Sequence, residues 1–178
     1  GNQNGLSLTN ARSAAKAVAL IQKAATDEAA IKAIDGAVFN FAAGEYVLAD
    51  EALALSYDAA EPVKLTFKGE EGTIFSGNET HGIMTVSGAD ITMEGITITK
   101  SVATETKTGA IKVSGPDTRL TLINCTVRDN VVSGEEIVCA GIVLDGADFV
   151  ADGTKFINND AYSSCALYVN GATLALTD

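Results

Sequence analysis

Aromatic side chains make up only 6% of this 178-residue chain, although 47% of its residues are hydrophobic. A folded core must therefore be built from stacked aliphatic groups rather than large rings. No run of about 18 apolar residues occurs, so no segment reads as a membrane-spanning helix. Basic residues are scarce as well: 12 Lys and Arg stand against 23 Asp and Glu, a net charge of −11. A nucleic-acid binder gathers cations to neutralise phosphates, so DNA and RNA are excluded as partners, and an anionic membrane surface is disfavoured for the same reason. The single histidine, His81, lies in the polar turn GNETHG (77–82), where a lone imidazole reads as solvated. The first ten residues lack the basic start and apolar centre of a signal peptide, so the chain is expected to be a mature or trimmed one.

What the chain has instead is a six-residue phrase written five times: KLTFKG (64–69), DITMEG (90–95), RLTLIN (119–124), DFVADG (148–153) and TLALTD (173–178). The copies start 26, 29, 29 and 25 residues apart. A period in this range marks a stacked repeat, and the alternation of apolar with mostly polar residues makes the unit a strand. A first strand precedes the later copies, in IMTVSG (83–88), AIKVSG (110–115), GIVLDG (141–146) and ALYVNG (166–171). A third follows, in ITITKS (96–101), CTVRDN (125–130) and TKFINN (154–159). Three strands and three turns per repeat predict an all-β solenoid, a right-handed parallel β-helix of about five coils.

Period-two alternation turns Leu65/Phe67, Ile91/Met93, Leu120/Leu122, Phe149/Ala151 and Leu174/Leu176 inward as continuous ladders. The turn column Gly69, Gly95, Asn124 and Gly153 suits a left-handed backbone, and Ser101, Asn130 and Asn159 suit side chains that bond turn backbone. The segment NARSAAKAVALIQKAA (10–25), with Thr9 or Asn10 as its cap, reads as a helix, and DEAAIKAID (27–35) as a second, stopping at Gly36. The expected organisation is a tail at 1–7, a helical N-terminal cap at 8–35, and coils over 36–178 that continue beyond the last residue. TLALTD ends part-way round a coil, so the exposed edges of Leu167, Val169, Leu174 and Leu176 predict end-to-end self-association through that coil. Cys125 reads as a small inward core residue; Cys139 and Cys165 enter successive first strands, either as stacked buried thiols or as a disulfide.

An Ala-rich helix followed by VFNFAAGEYVL, KLTFKGEEGTIFSG and GIMTVSGADITMEGITITKS resembles the opening of the pectin-lyase-like right-handed β-helix superfamily, over nearly the whole chain. The later coils also resemble the short repeats of polymorphic outer-membrane proteins and adhesin-like chains, through Gly109-Ala110-Ile111 and Phe156-Ile157-Asn158-Asn159. The resemblance implies a secreted or cell-surface location. For the superfamily's enzymes it also implies polysaccharide cleavage on the outer face of the first-strand sheet.

That face carries Thr85 and Ser87, Lys112 and Ser114, Val143 and Asp145, then Tyr168 and Asn170. A glycosidase needs two carboxyl groups roughly 5 to 9.5 Å apart, and Asp145 has none stacked beside it, so no catalytic residue is assigned. Lys112 stands diagonally from Asp145, in position for a surface ion pair. The variable loops 102–108, 131–140 and 160–165 wall one side of the sheet. Lys112, Asp145, Tyr162, Tyr168 and Asn170 are the types that grip sugars, through hydrogen bonds and ring stacking. The expected function is non-catalytic recognition of a glycan or surface protein in adhesion at a bacterial cell surface. The alternatives are a polysaccharide lyase or glycoside hydrolase, or a structural spacer. Asp90, Asp117 and Asp148 each follow a first strand by the same interval and are weak candidates for a calcium ladder; Asx-turns explain them without a cofactor.

Overall fold

The computed structural model describes residues 6–8, 16–19, 21–22, 27–104, 108–133, 139–162 and 166–178. Every strand pairing among them is parallel. The chain winds through three sheets in turn, making a parallel β-solenoid of about four turns. The first-strand sheet stacks Leu53–Ser56, Met84–Ser87, Ile111–Ser114, Ile142–Asp145 and Leu167–Asn170. The middle-strand sheet stacks Leu6–Leu8, Ala37–Phe41, Val63–Gly69, Ala89–Glu94, Arg119–Ile123, Asp148–Asp152 and Leu174–Thr177. The third-strand sheet stacks Gly44–Tyr46, Thr73–Ser76, Thr97–Thr99, Thr126–Arg128 and Lys155–Ile157.

The expected ladders are in register. Ala37, Leu65, Ile91, Leu120, Phe149 and Leu174 form one column, and Phe39, Phe67, Met93, Leu122, Ala151 and Leu176 the next. Interior members of both columns are buried, and each large aliphatic so placed contributes about 2–5 kcal/mol relative to alanine. The few aromatics gather at the N-terminal end, where Phe39 stacks on Phe67 with centroids 5.5 Å apart and Phe41 meets Phe75 edge-on at 4.8 Å.

The polar column inside the third corner is a hydrogen-bonded ladder. Asn130, 0% exposed, donates from Nδ2 to the Ile98 carbonyl and to Asn159 Oδ1, at 3.2 and 2.9 Å. Its own Oδ1 accepts from the Ser101 amide at 3.1 Å, and Asn159 donates to the Val127 carbonyl at 2.9 Å. Each buried amide thus satisfies backbone left unpaired where the strand bends. The Ser101 hydroxyl is too short to continue the ladder, and its Oγ has no partner among the described residues.

The helical segment Glu28–Ile34 is capped by Asp27, whose carboxylate accepts from the Ala29 and Ala30 amides at 2.9 and 3.2 Å. Residues 16–19 and 21–22 are also helical, with Ala17, Val18 and Ile21 buried. Tyr57 reaches from the first coil to donate to the Ile21 carbonyl at 3.4 Å, and its burial pushes the phenol pKa up. Thr9 and Asn10, the expected caps, lie outside the described residues. The expected tail and cap are corrected at one point: Leu6–Leu8 is a strand, paired with Phe39–Phe41 of the middle-strand sheet. Gly69 needs correction too. Gly95, Asn124 and Gly153 have positive φ as expected, but Gly69 does not. A side chain there would meet Thr73 Cβ at 2.7 Å and the Gly95 carbonyl at 3.0 Å, so the column keeps glycine at that point for lack of room.

Candidate functional site

The outer face of the first-strand sheet carries two tracks, because residues two apart on a strand point the same way. On the leaving side of each strand stand Ser56, Ser87, Ser114, Asp145 and Asn170, one per coil. Hydrogen bonds join neighbours at both ends: Ser87 Oγ donates to Ser56 Oγ at 2.8 Å, and Asn170 Nδ2 to Asp145 Oδ1 at 2.6 Å. None of the five is buried, so the track is polar and open over its whole length.

On the entering side stand Ala54, Thr85, Lys112, Val143 and Tyr168. This track is interrupted. Val143 faces outward by register yet is 0% exposed, and it lies outside the interior core cluster. Cys139 and Ala140, just upstream, are also buried outside that cluster. Beside it the strands Val102–Ala103 and Val131–Val132 pair in parallel, an element that the sequence presents only as loop.

A hollow of 310 Å³ lies before the covered coil. Thr85 and Lys112 line it from the sheet, with Glu51, His81 and Thr108 along the entering edge and Val102 to Thr104 beyond. Gly82 and Gly109 stand in that edge, where a side chain on Gly109 would strike the Gly141 carbonyl at 2.5 Å. The close stacking of the coils therefore keeps this part of the wall bare. His81 Nδ1 lies 2.6 Å from the Gly82 carbonyl. A carbonyl only accepts, so Nδ1 carries a proton in this contact.

The five sequence-predicted residues are therefore divided. Lys112 belongs to the hollow, while Asp145, Tyr168 and Asn170 lie on or beyond the covered coil. Tyr162 is 77% exposed on its loop. The expected ion pair between Lys112 and Asp145 is absent among the described residues: Lys112 has no carboxylate within 4 Å, and Asp145 is held by Asn170. The register neighbours of Asp145 are Ser114 and Asn170, so no second carboxyl group stands beside it. His81 was read from the sequence as a solvated turn residue and Thr85 as an outward residue of the sheet, while Glu51 was not singled out. His81 and Thr108 each precede the glycine that opens a first strand, and that shared position is the signal that places them on one wall.

The aspartate ladder is corrected. Asp90 pairs in register with Arg119, and Arg119 with Asp148, while Asp117 sits in the preceding turn at φ 60°. The Gly115-Pro116 turn is longer than its counterparts and moves Asp117 off the column. With Lys64 beside Asp90, the column reads Lys64, Asp90, Arg119, Asp148, alternating in sign, and Arg119 bonds Asp148 at 3.2 Å. No group of three metal-ligating side chains occurs among the described residues.

Cys125 is buried and free, its Sγ 3.5 Å from the Met93 carbonyl, and burial pushes its thiol pKa up. Cys139 Sγ donates to the Ile142 carbonyl at 3.3 Å, and Cys165 lies outside the described residues. No helix among the described residues is long and apolar enough to cross a membrane. Comparison with protein-family models, curated proteins and solved structures finds no match. Function therefore rests on the geometry of this face.

Proposed function

We propose that the chain is a recognition module that binds an extended glycan along the outer face of the first-strand sheet, without cleaving it. The observation that supports this is the open polar track Ser56, Ser87, Ser114, Asp145 and Asn170, which repeats hydroxyl, carboxylate and amide groups at about 4.8 Å intervals. Such groups bond sugar hydroxyls in either direction, and Tyr168 beside Asn170 offers a ring face for stacking. In this reading the module works outside the cell, in adhesion at a bacterial surface. The elongated shape suits it to a long ligand or to holding one at a distance.

A glycan-array screen, run beside reducing-sugar and unsaturated-product assays, tests the reading. Binding is expected without turnover, weakened about tenfold by Asp145→Ala or Asn170→Ala, since each removes a polar contact. Turnover that disappears in Lys112→Ala or Asp145→Ala would replace it with the lyase or hydrolase alternative. A surface protein bound in place of any glycan would move the ligand class.

A further inference from the structure

We infer that Asn170 is a self-modification site: its side chain closes onto the Gly171 amide and hydrolyses to aspartate or isoaspartate, turning the end of the polar track from an amide into a carboxylate. The conversion goes beyond the glycan reading and holds whatever the face binds.

Asparagine is a labile side chain, and it cyclises most readily before glycine, where no side chain hinders the attacking nitrogen. The Gly171 nitrogen attacks Asn170 Cγ. A bond from that nitrogen to Cγ forms, the bond from Cγ to Nδ2 breaks, and Nδ2 leaves as ammonia with the proton that the Gly171 amide gives up. Water then opens the cyclic imide. Opening at Cγ restores the main chain as aspartate, and opening at the main-chain carbonyl routes the chain through Cγ as isoaspartate. No electron is transferred: one water is consumed for each ammonia released.

The fold selects this pair from several. Asp35-Gly36, Asp145-Gly146, Asp152-Gly153 and Asn170-Gly171 all lie among the described residues, and Asn4-Gly5 lies outside them. In the three aspartyl pairs the glycine nitrogen is held: Gly36 donates to the Lys64 carbonyl at 2.8 Å, Gly146 to the Asn170 carbonyl at 2.8 Å and Gly153 to the Thr177 carbonyl at 3.1 Å. Such a nitrogen must leave its hydrogen bond before it can attack. The Gly171 amide donates to no group among the described residues. Gly171 is exposed at φ 60°, with nothing within 4 Å of the place a side chain would take, so the turn has room to close and water reaches the imide. Asn170 is exposed too, its Nδ2 held by Asp145 Oδ1 at 2.6 Å. Conversion removes that donor. Asp145 and position 170 are register partners, so the product sets two carboxylates against each other, and like charges facing across strands repel. The isoaspartyl form also lengthens the main chain between Leu167–Asn170 and Leu174–Thr177.

Incubation of the intact chain at mildly alkaline pH in heavy-oxygen water, followed by peptide mapping in ordinary water, tests the inference. Solvent oxygen is expected in the peptide that carries position 170, as a mixture of aspartyl and isoaspartyl forms. Asp152→Asn supplies the comparison, an Asn-Gly pair whose glycine nitrogen is bonded. With circular dichroism unchanged, position 152 is expected to convert at least about tenfold more slowly than position 170, because its nitrogen must first break a hydrogen bond. In urea, where both nitrogens are free, the two positions should convert at similar rates. If Asp152→Asn does not fold, Asp35→Asn gives the same comparison through the bond from Gly36 to Lys64. A position 170 that stays unlabelled in the folded chain, or equal rates at the free and the bonded pair in the folded chain, overturns the inference.

Discussion

Leu65 and Leu174 stand in the same column of the same sheet, yet the first is buried and the second is 41% exposed. The residues are identical, and so is their position on the strand. What differs is the neighbour: Leu65 lies between Ala37 and Ile91, while Leu174 has Phe149 on one side only. The N-terminal end goes further, adding helical residues over the first coil and clustering Phe39, Phe41, Phe67 and Phe75 beneath them. At the other end Leu176 is 58% exposed, and Lys155–Ile157, Leu167–Asn170 and Leu174–Thr177 are each the last strand of their sheet. In a solenoid the burial of a side chain is a property of the adjacent coil, so stability is distributed along the axis and falls where a neighbour is missing.

The sharpest way to break this comparison is to put the same charge into the middle and into the end of one column. Leu122→Asp places a carboxylate among buried ladder residues with no partner, and this should unfold the coils. Loss of the cooperative thermal transition in circular dichroism is the expected result. Leu176→Asp, two coils on, should fold with a melting temperature close to that of the parent. A soluble Leu122→Asp with an unchanged transition would mean that the columns are wrongly placed.

A middle-sized effect should come from the polar ladder. Asn130→Ala removes two donations and one acceptance inside the coil, leaving the Ser101 amide and the Ile98 carbonyl without their side-chain partner. A loss of about 2–4 kcal/mol is expected from urea unfolding. A loss below about 1 kcal/mol would show that water replaces the amide there.

The smallest effect is electrostatic. Hydrogen bonds from Lys100 and Ser76 hold the Glu45 carboxyl below its ordinary value. A carboxylate with a lowered folded pKa stabilises the fold above its unfolded pKa, and that contribution is lost as pH falls through the folded one. Both partners are exposed, so the effect is slight. Glu45→Gln should lower the melting temperature marginally at pH 7 and leave no difference from the parent once the carboxyl is protonated. A difference that persists at low pH would assign the contact to packing.

The ladders were legible because strand alternation and a repeat period together fix both the inward face and the register. Leu65, Ile91, Leu120, Phe149 and Leu174 align in the sequence as they do in the fold. The Asn130 and Asn159 column was legible for the same reason. Alternation is silent, however, about what folds over a strand from outside. Val143 carries the same outward pattern as Thr85 and Lys112, yet it is buried where they are partly exposed. Turn length is the other blind spot, since the longer Gly115-Pro116 turn put Arg119 where Asp117 was expected. The candidate site therefore emerged in part: Lys112 and the Asp145–Asn170 pair were visible as residue types, while the hollow and its His81 wall required the coils to be wound.

The alternating column Lys64, Asp90, Arg119, Asp148 gives the solenoid a parity. Removing the single coil that carries Asp90 would set Lys64 directly against Arg119, and like charges facing across strands cost roughly 0.2–1 kcal/mol. Removing two coils would instead set Lys64 against Asp148 and restore the opposite pairing. Shortening this protein is thus easier in even steps than in odd ones, and its repeats are interchangeable with their second neighbours rather than their first.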